Sequence, residues 1–234
     1  MRAARTATAS GTGTLARVAG LSYLVTIAAG MFAEVFVRAS IRSSDPLVTG
    51  DRFRDLEQLY RIGVLGDGLM LMSYLVVTAL LYLLLKPIDP AVSFLAALFS
   101  LTGIALLAAA MTILLLPIHV DVPLAASQAL RLHSAAFNLT GLFFGPYCAL
   151  IGWLLRRSGW LPGWIAVLMM LAGAVFVFDA SAELVAPGLA RRIPEAVLMV
   201  SLVAEGSLAI WLAVFGFGPP PSAAGAAREN RHAR

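Results

Sequence analysis

The chain has 234 residues, of which 60% are hydrophobic and 13% are charged, and its 17 Lys and Arg outnumber 13 Asp and Glu to give a net charge of +4. Soluble domains are about 45–50% apolar and about 25% charged, so this composition excludes an ordinary water-soluble domain. The basic residues form no stripe interleaved with aromatic side chains. We therefore expect a lipid bilayer as the main partner and no nucleic acid.

Six apolar runs have about the length that a helix needs to cross a bilayer, roughly 20 residues. They occupy residues 15–37, 62–85, 91–116, 132–155, 161–183 and 196–217. The run from Ala91 to Leu116 carries no charge and no polar–apolar alternation, which excludes a barrel strand. Because a backbone in lipid must satisfy its own hydrogen bonds, the sequence predicts an all-α, polytopic transmembrane bundle of six spans.

The two ends of the chain differ from the region between them. Residues 1–14 are small and polar, and residues 218–234 are rich in proline, alanine and arginine. We expect both ends to be disordered tails on either side of a transmembrane domain, residues 15–217.

The longest connection joins the first and second spans. From Asp51 it reads DRFRDLEQLYRIG, which places Phe53, Leu56, Tyr60 and Gly63 at helical spacing with charges between them. This pattern favours an amphipathic segment that lies on the membrane surface and leads into the second span. A solvated loop is the alternative.

The orientation depends on where the basic residues lie. An even number of spans puts both termini on one side, and Lys and Arg divide almost equally between the two sides. Arg156 and Arg157, however, lie in a very short loop, where basic residues are the strongest mark of the cytoplasmic side. We therefore expect a multi-pass protein of the cell membrane with both termini in the cytoplasm.

Polar side chains gather at one membrane face, where odd-numbered spans end and even-numbered spans begin. All of the 13 acidic residues except Asp89 and Glu229 fall on this side. This placement predicts one intramembrane polar site in one leaflet. Its candidate members are Glu34, Arg38, Asp67, His133, Asn138, Asp179, Glu183 and Glu205.

Spacing within this set suggests specific interactions. Glu34 and Arg38 are four residues apart and can form an ion pair on one helix face. Asp179 and Glu183 have the same spacing with like charges, which repel unless a proton or a cation lies between them. Glu205 falls near the middle of the sixth span, where a charge costs about 2.5–3.5 kcal/mol. It therefore needs a partner, a water-filled cavity or a proton.

Motifs for enzyme chemistry are absent from the sequence. No Walker loop, dinucleotide fingerprint, nucleophile elbow or redox CxxC occurs, so we expect no cofactor and no resident metal, and we favour a protein without enzymatic activity. His119 and His133 with nearby carboxylates leave a metal site open, but zinc requires three or four ligands and no compact motif supplies them.

Small residues in the fourth span favour close helix packing. Gly141 and Gly145 are four residues apart, and such pairs let two backbones approach each other. The approach can occur within one chain, which we favour, or in an oligomer. The single cysteine, Cys148, excludes an intrachain disulfide and is expected to be a buried apolar residue.

Four segments carry a resemblance to a known family. They are RVAGLSYLVTIAAGMFAEVFVRASI from Arg17, LEQLYRIGVLGDGLMLM from Leu56, LYLLLKP from Leu81 and RRSGWLPGWIAVLMMLAG from Arg156. With them the chain resembles, over roughly residues 15–217, an uncharacterised bacterial membrane family catalogued as domain of unknown function 4386. The resemblance implies a multi-pass bacterial membrane protein and supplies no catalytic residue.

Three functions are compatible with these observations. The polar site binds or conducts an ion, a proton or a small amphiphile; or its charges only lock the bundle of a structural or sensory protein; or an intramembrane hydrolase of lipids holds a metal through His119, His133 and carboxylates. We favour the first, because ionisable residues inside a membrane mark ligand and ion pathways.

Overall fold

The structure is a computed structural model that describes residues 2–120, 122, 124–186, 188 and 195–217, with side chains from residue 12 onward except for 195–198. In this part of the chain every regular element is a helix, as the sequence predicted. The longer helices are α1 (Arg2–Met31), α2 (Pro46–Asp55), α3 (Glu57–Leu85), α4 (Pro90–Met111), α5 (Ala125–Leu139), α6 (Gly141–Ser158), α7 (Gly163–Val185) and α8 (Glu195–Phe215).

Irregular helical turns prolong two of these helices, and a third helix runs directly into the next one. A π-helix, Phe32–Arg38, and the turn Ala39–Ile41 prolong α1. A 3-10 helix, Thr112–Leu115, and the turn Leu116–His119 prolong α4. At Thr140 α5 passes into α6 through a single turn residue.

Five helical stretches are long and apolar enough to cross a membrane. They are Thr12–Ile41, Glu57–Leu85, Pro90–His119, Ala125–Ser158 and Gly163–Val185, and a shorter apolar helix, Met199–Phe215, follows them. Their outer faces expose large apolar side chains, such as Leu65 at 74% and Met72 at 69%. Such exposure is unfavourable in water and natural in lipid. The fold is therefore a helical bundle consistent with about six spans.

The helices extend beyond the predicted apolar runs. The π-helical turn carries the first span to Ile41 rather than residue 37, and the fourth span begins at Ala125 rather than residue 132. These added turns are amphipathic, so hydropathy alone does not mark them. In the structure α1 begins at Arg2, within the predicted tail of residues 1–14, while residues 218–234 lie outside the described part of the chain. The division into tails and domain stays a prediction.

The six long helices form a closed ring in chain order. Helix α1 packs against α3, α3 against α4, α4 against α6, α6 against α7, α7 against α8, and α8 returns to pack against α1. Sequential antiparallel neighbours follow from the short connections between the spans. The contact of α8 with α1 closes the ring, so side chains of all its helices face a common interior.

The most extensive contact in the ring joins α6 to α7. A Cβ atom on Gly145 would lie 2.7 Å from the carbonyl oxygen of Gly173, and one on Gly141 would lie 2.8 Å from that of Phe176. The two glycines therefore serve packing within the chain, as small residues do at helix contacts in membranes. An oligomer through Gly141 and Gly145 stays a prediction.

The connection after the first span contains the expected helical spacing, divided between α2 and the start of α3. Asp45 caps α2 by accepting a hydrogen bond from the N–H two residues on at 2.8 Å, and Pro46 follows it in the first turn. Helix α2 ends before Leu56, which separates it from α3. The ring of Phe53 packs edge-on against that of Tyr60, with centroids 5.1 Å apart. That this connection lies on the membrane surface stays a prediction.

Two apolar clusters occupy the described interior, one toward each end of α3. The smaller cluster includes Tyr60 and Val64, and Tyr60 Oη donates to the Leu114 carbonyl oxygen at 2.7 Å. The larger cluster includes Leu71 and Tyr74 from the next turns of the same helix. The segment of α3 between the two clusters contains Asp67, where the polar residues of the bundle meet.

Candidate functional site

A buried arginine organises the first group of polar residues. Arg38 and Asp67 are only 4% and 3% exposed, and they form a two-pronged ion pair with Nη1–Oδ2 at 2.5 Å and Nη2–Oδ1 at 3.1 Å. Arg38 Nε also donates to Glu34 Oε2 at 2.6 Å. The fork geometry of guanidinium suits two carboxylates, and charge-assisted bonds of this kind are among the strong ones.

The group continues toward the surface. The other carboxylate oxygen of Glu34 lies 3.1 Å from Arg42 Nη2, which also donates to Ser134 Oγ at 3.2 Å. We call Glu34, Arg38, Arg42 and Asp67 the charge network. It joins the end of the first span to α3 and α5, and its two arginines balance its two acids.

A π-helix carries both members of the Glu34–Arg38 pair. This pair confirms the ion pair that the four-residue spacing predicted. Wide π turns are rare and occur frequently at functional sites. Here the π-helix directs Arg38 inward between α1 and α3 while the side chain of Glu34 stays 45% exposed.

His133 and Asn138 lie on α5 beside the charge network. His133 is buried, with Nδ1 3.2 Å from the carbonyl oxygen of Ala110, and this contact is a hydrogen bond when Nδ1 carries the proton. The carbonyl lies just before the 3-10 segment of the third span, where the helical hydrogen-bond pattern changes. A cavity of about 240 Å³, which we call the network cavity, is lined by Arg38, Asp67, His133 and Asn138 among others.

A second and larger cavity of about 310 Å³ lies inside the helix ring, and we call it the central cavity. Every long helix of the ring lines it, as does α5. Its lining includes Thr26 from α1, Tyr74 from α3, Leu107 from α4, Phe144 from α6, Asp179 from α7 and Glu205 from α8. The two cavities share Gly30, Met70, Phe137 and Asn138, so they adjoin each other.

Glu205 is the acidic group deepest in the last span, and it faces the central cavity. Its Oε1 accepts a long hydrogen bond from Cys148 Sγ at 3.7 Å. Tyr23, Tyr74 and Tyr147 also lie within electrostatic reach of its carboxylate. Within the described residues no Lys, Arg or His lies within ion-pair distance of Glu205, in contrast to Asp67.

Buried hydroxyl groups without partners surround this carboxylate. Ser201 lines the central cavity one helical turn before Glu205, and it is 6% exposed. Its Oγ has no hydrogen-bond partner among the described residues, and the same holds for Tyr147 Oη. Buried polar atoms are normally paired, so Ser201 Oγ is available to bond a polar group in the central cavity.

The like-charge pair of α7 is divided between two environments. Asp179 is half-buried and lines the central cavity, whereas Glu183 does not line it but lies close enough to act electrostatically on Asp179. In the described part of the chain neither carboxylate forms an ion pair. Arg191 and Arg192, which follow α7, lie outside that part.

The two histidines are placed differently from each other. His119 is exposed at the end of the third span, and His133 is buried against Ala110. Among the described residues no three His, Cys, Asp or Glu side chains come together in a way that could hold a metal ion.

One family model matches the region of the chain that contains both cavities. The family described as "Domain of unknown function (DUF4386)" matches residues 18–216. The chain belongs to this family. The DUF4386 region contains every candidate site residue from Glu34 to Glu205, so both cavities are built within it. The resemblance found in the sequence is therefore confirmed at the level of the family.

One relative is similar over part of the chain. An "Uncharacterized protein" of Archaeoglobus fulgidus is 28% identical over 116 residues, which are 50% of this chain and 64% of that protein. The chain thus covers less than two thirds of the relative's length. No solved structure matches the chain. The relative is archaeal, so the bacterial origin that the resemblance implied stays a prediction.

Several residues of the two cavities were not identified from the sequence. Arg42 extends the charge network, while Ser201, Tyr23 and Tyr74 surround Glu205. Ser201 carried a readable signal, since it lies four residues before Glu205 and shares its helix face. Tyrosines within apolar spans gave no signal that separates a cavity wall from ordinary packing.

Proposed function

We propose that this protein is a multi-pass membrane protein that binds a small amphiphile in the central cavity, with Glu205 recognising the polar end of the ligand. One observation carries the proposal. Glu205 faces a cavity lined by every long helix of the ring, and it has no basic partner among the described residues. Intramembrane ionisable residues are costly, and those that persist mark pathways of ligands and ions.

The walls of the central cavity favour an amphiphile over a bare ion. Apolar side chains such as Ile27, Leu107, Phe144 and Phe176 form most of its surface, and its polar groups are few. Ligand sites of about 300–1,000 Å³ are typically lined in this way, with a few placed polar groups that fix orientation. A bare ion would require oxygen ligands around it, which these walls do not supply.

The adjoining network cavity offers a route to the membrane surface. Glu34 lines it with a side chain that is 45% exposed, and the two cavities meet at Met70 and Asn138. With both termini in the cytoplasm of the cell, this polar end of the bundle would face outward. A ligand would then enter from the outer leaflet or the outer surface.

A structural role is favoured for the charge network itself. Arg38 and Asp67 satisfy each other, and Glu34 completes the arrangement, so these charges need no ligand. The alternative of a protein whose charges only lock the bundle therefore describes this half of the site. It does not account for Glu205. The lipid-hydrolase alternative has no set of three metal ligands among the described residues.

The test is photolabelling of the purified protein in lipid nanodiscs. The probes are three small aryl diazirines that differ only in one group, a benzyl alcohol, a benzylammonium and a benzoate. We expect at least one of them to label residues of the central cavity saturably. Ser201→Phe fills the cavity and should abolish that labelling.

Val203→Phe is the matched control. Val203 lies two residues from Ser201 on the same helix and is 54% exposed, so the same added ring would point toward lipid. Melting temperature and gel filtration establish that both variants fold. Equal labelling of the two variants, or labelling confined to lipid-facing positions with all three probes, would overturn the proposed function.

A further inference from the structure

The charge on the walls of the central cavity has one sign. Its lining includes two carboxylates, Asp179 and Glu205, and none of the described residues that line it is Lys, Arg or His. The guanidinium of Arg38 lines the adjoining network cavity and is already held by Asp67 and Glu34. Electrostatic complementarity therefore disfavours an anionic ligand and favours a cationic one.

Aromatic rings line the same cavity as the two carboxylates. Tyr74 and Phe144 both line the central cavity and stack with centroids 5.1 Å apart at 6° between their planes. Tyr23 packs against Tyr74 with centroids 5.7 Å apart. A ring face attracts a cation within about 6 Å of its centroid, and the attraction grows when water is excluded.

An independent observation points to a polar group on the ligand. Ser201 Oγ is buried in the cavity wall without a partner in the described structure, one turn from Glu205 on α8. The hydroxyls of Thr26 and Thr140 also lie in the wall, but they donate to the carbonyls of Ser22 and Phe137. Ser201 is thus the wall hydroxyl that remains available, and an N–H group bound at Glu205 would supply its missing partner.

From these three features we infer that the ligand is a monovalent organic cation, an ammonium group on a compact apolar body. The inference rests on the proposed function and names the ligand class for the same cavity. The ammonium lies between Glu205 and Ser201 with the rings of Tyr74 and Phe144 beside it. Asp179 adds negative charge at the edge of the cavity, and the apolar body fills the remaining space among apolar side chains.

The experiment compares the three diazirine probes on the wild-type protein in nanodiscs. Their ammonium, alcohol and carboxylate groups are close in size and differ in charge. We expect the benzylammonium probe to saturate cavity labelling at a concentration about tenfold lower than the benzyl alcohol probe, and the benzoate to give no saturable labelling. Glu205→Gln should remove the advantage of the ammonium probe over the alcohol, so that both probes saturate at similar concentrations.

The outcomes separate the two proposals. If alcohol and ammonium label the cavity at equal concentrations, or if Glu205→Gln weakens both equally, the cation assignment is wrong while amphiphile binding stands. Preferential labelling by the benzoate would also overturn the cation assignment. If none of the three probes labels the cavity saturably, the proposed function fails and the ligand class with it. Glu183→Gln, a change of the same type outside the cavity, serves as the control.

Discussion

The charge network and the central cavity adjoin each other, but they differ in whether a carboxylate inside the bundle has a basic partner. In the network, Asp67 is 3% exposed and meets a guanidinium with two hydrogen bonds. In the cavity, Glu205 has the Cys148 thiol and the Tyr23 hydroxyl beside its carboxylate and no basic partner in the described structure. In the sequence the two carboxylates have the same pattern, an acidic residue inside an apolar span.

This contrast teaches how to separate structural from functional charge inside a membrane. A buried charge with a complete set of partners stabilises the fold in which it sits, because removal of one partner leaves the other uncompensated. A charge that faces a cavity without compensation costs stability, which makes it a candidate for ligand binding. Matched acid-to-amide substitutions in the two regions should therefore have opposite effects on stability.

The largest effect is expected for Asp67→Asn. The change leaves Arg38 buried with Glu34 as its remaining charged partner, and loss of one member of a buried pair costs about 3 kcal/mol or more. Chemical unfolding in detergent micelles measures the loss. The double change Arg38→Met with Asp67→Leu should recover most of it, since neither charge then remains. A loss below about 1 kcal/mol would contradict the structural role of the network.

Glu205→Gln should act in the other direction. An amide is easier to bury than a carboxylate without a basic partner, so we expect the free energy of unfolding to rise by about 1 kcal/mol. The same unfolding assay applies, with Glu183→Gln as control and an expected change within about 0.5 kcal/mol. A marked loss of stability in Glu205→Gln would show that Glu205 has a structural partner and would erase the contrast between the regions.

A smaller effect is expected for Glu34→Gln. Arg38 keeps both bonds to Asp67, and the side chain of Glu34 is 45% exposed, so the cost should be about 0.5–1 kcal/mol. Arg157→Gln tests an ion pair at the opposite end of the bundle, where Arg157 and Asp89 are 3.8 Å apart and partly solvated. Its cost should be smaller still. Equal losses in the free energy of unfolding for Glu34→Gln and Asp67→Asn would mean that the contribution of a carboxylate to the network does not depend on its exposure.

The smallest effect is expected for Asp179→Asn. Its carboxylate lines the central cavity but is half-buried, so solvent screens its attraction for a cation. The concentration of benzylammonium probe that half-saturates labelling should rise about threefold, with no change for the alcohol probe. A tenfold rise with little effect of Glu205→Gln would move the main contact of the ligand from Glu205 to Asp179.

The amino-acid sequence predicts the all-helical fold, the approximate positions of the spans and the family. It also determined local pairs, because residues four apart on one helix meet whatever the rest of the chain does. The pair of Glu34 and Arg38 was predicted for this reason and is present. Lipid permits few backbone arrangements, so hydropathy alone predicts the architecture.

The packing of the helices against each other determines which charges meet across them. The sequence grouped Asp67 and Glu205 in one site, whereas the structure pairs Asp67 with Arg38 and leaves Glu205 at the central cavity. Arg61, the arginine nearest to Asp67 along its own helix, pairs with Glu57 instead. The partner of Asp67 depends on the rotation of α1 against α3 and on the π-helix, neither of which leaves a mark in residue spacing.

The physical reason lies in the solvent. In water, a helix shows its inner face by apolar periodicity, because the outer face must be polar. In lipid both faces are apolar, so the sequence of a span does not reveal which side points inward. Ring closure by α8 against α1 fixed the inner faces and brought Ser201, Tyr74 and Glu205 around one cavity.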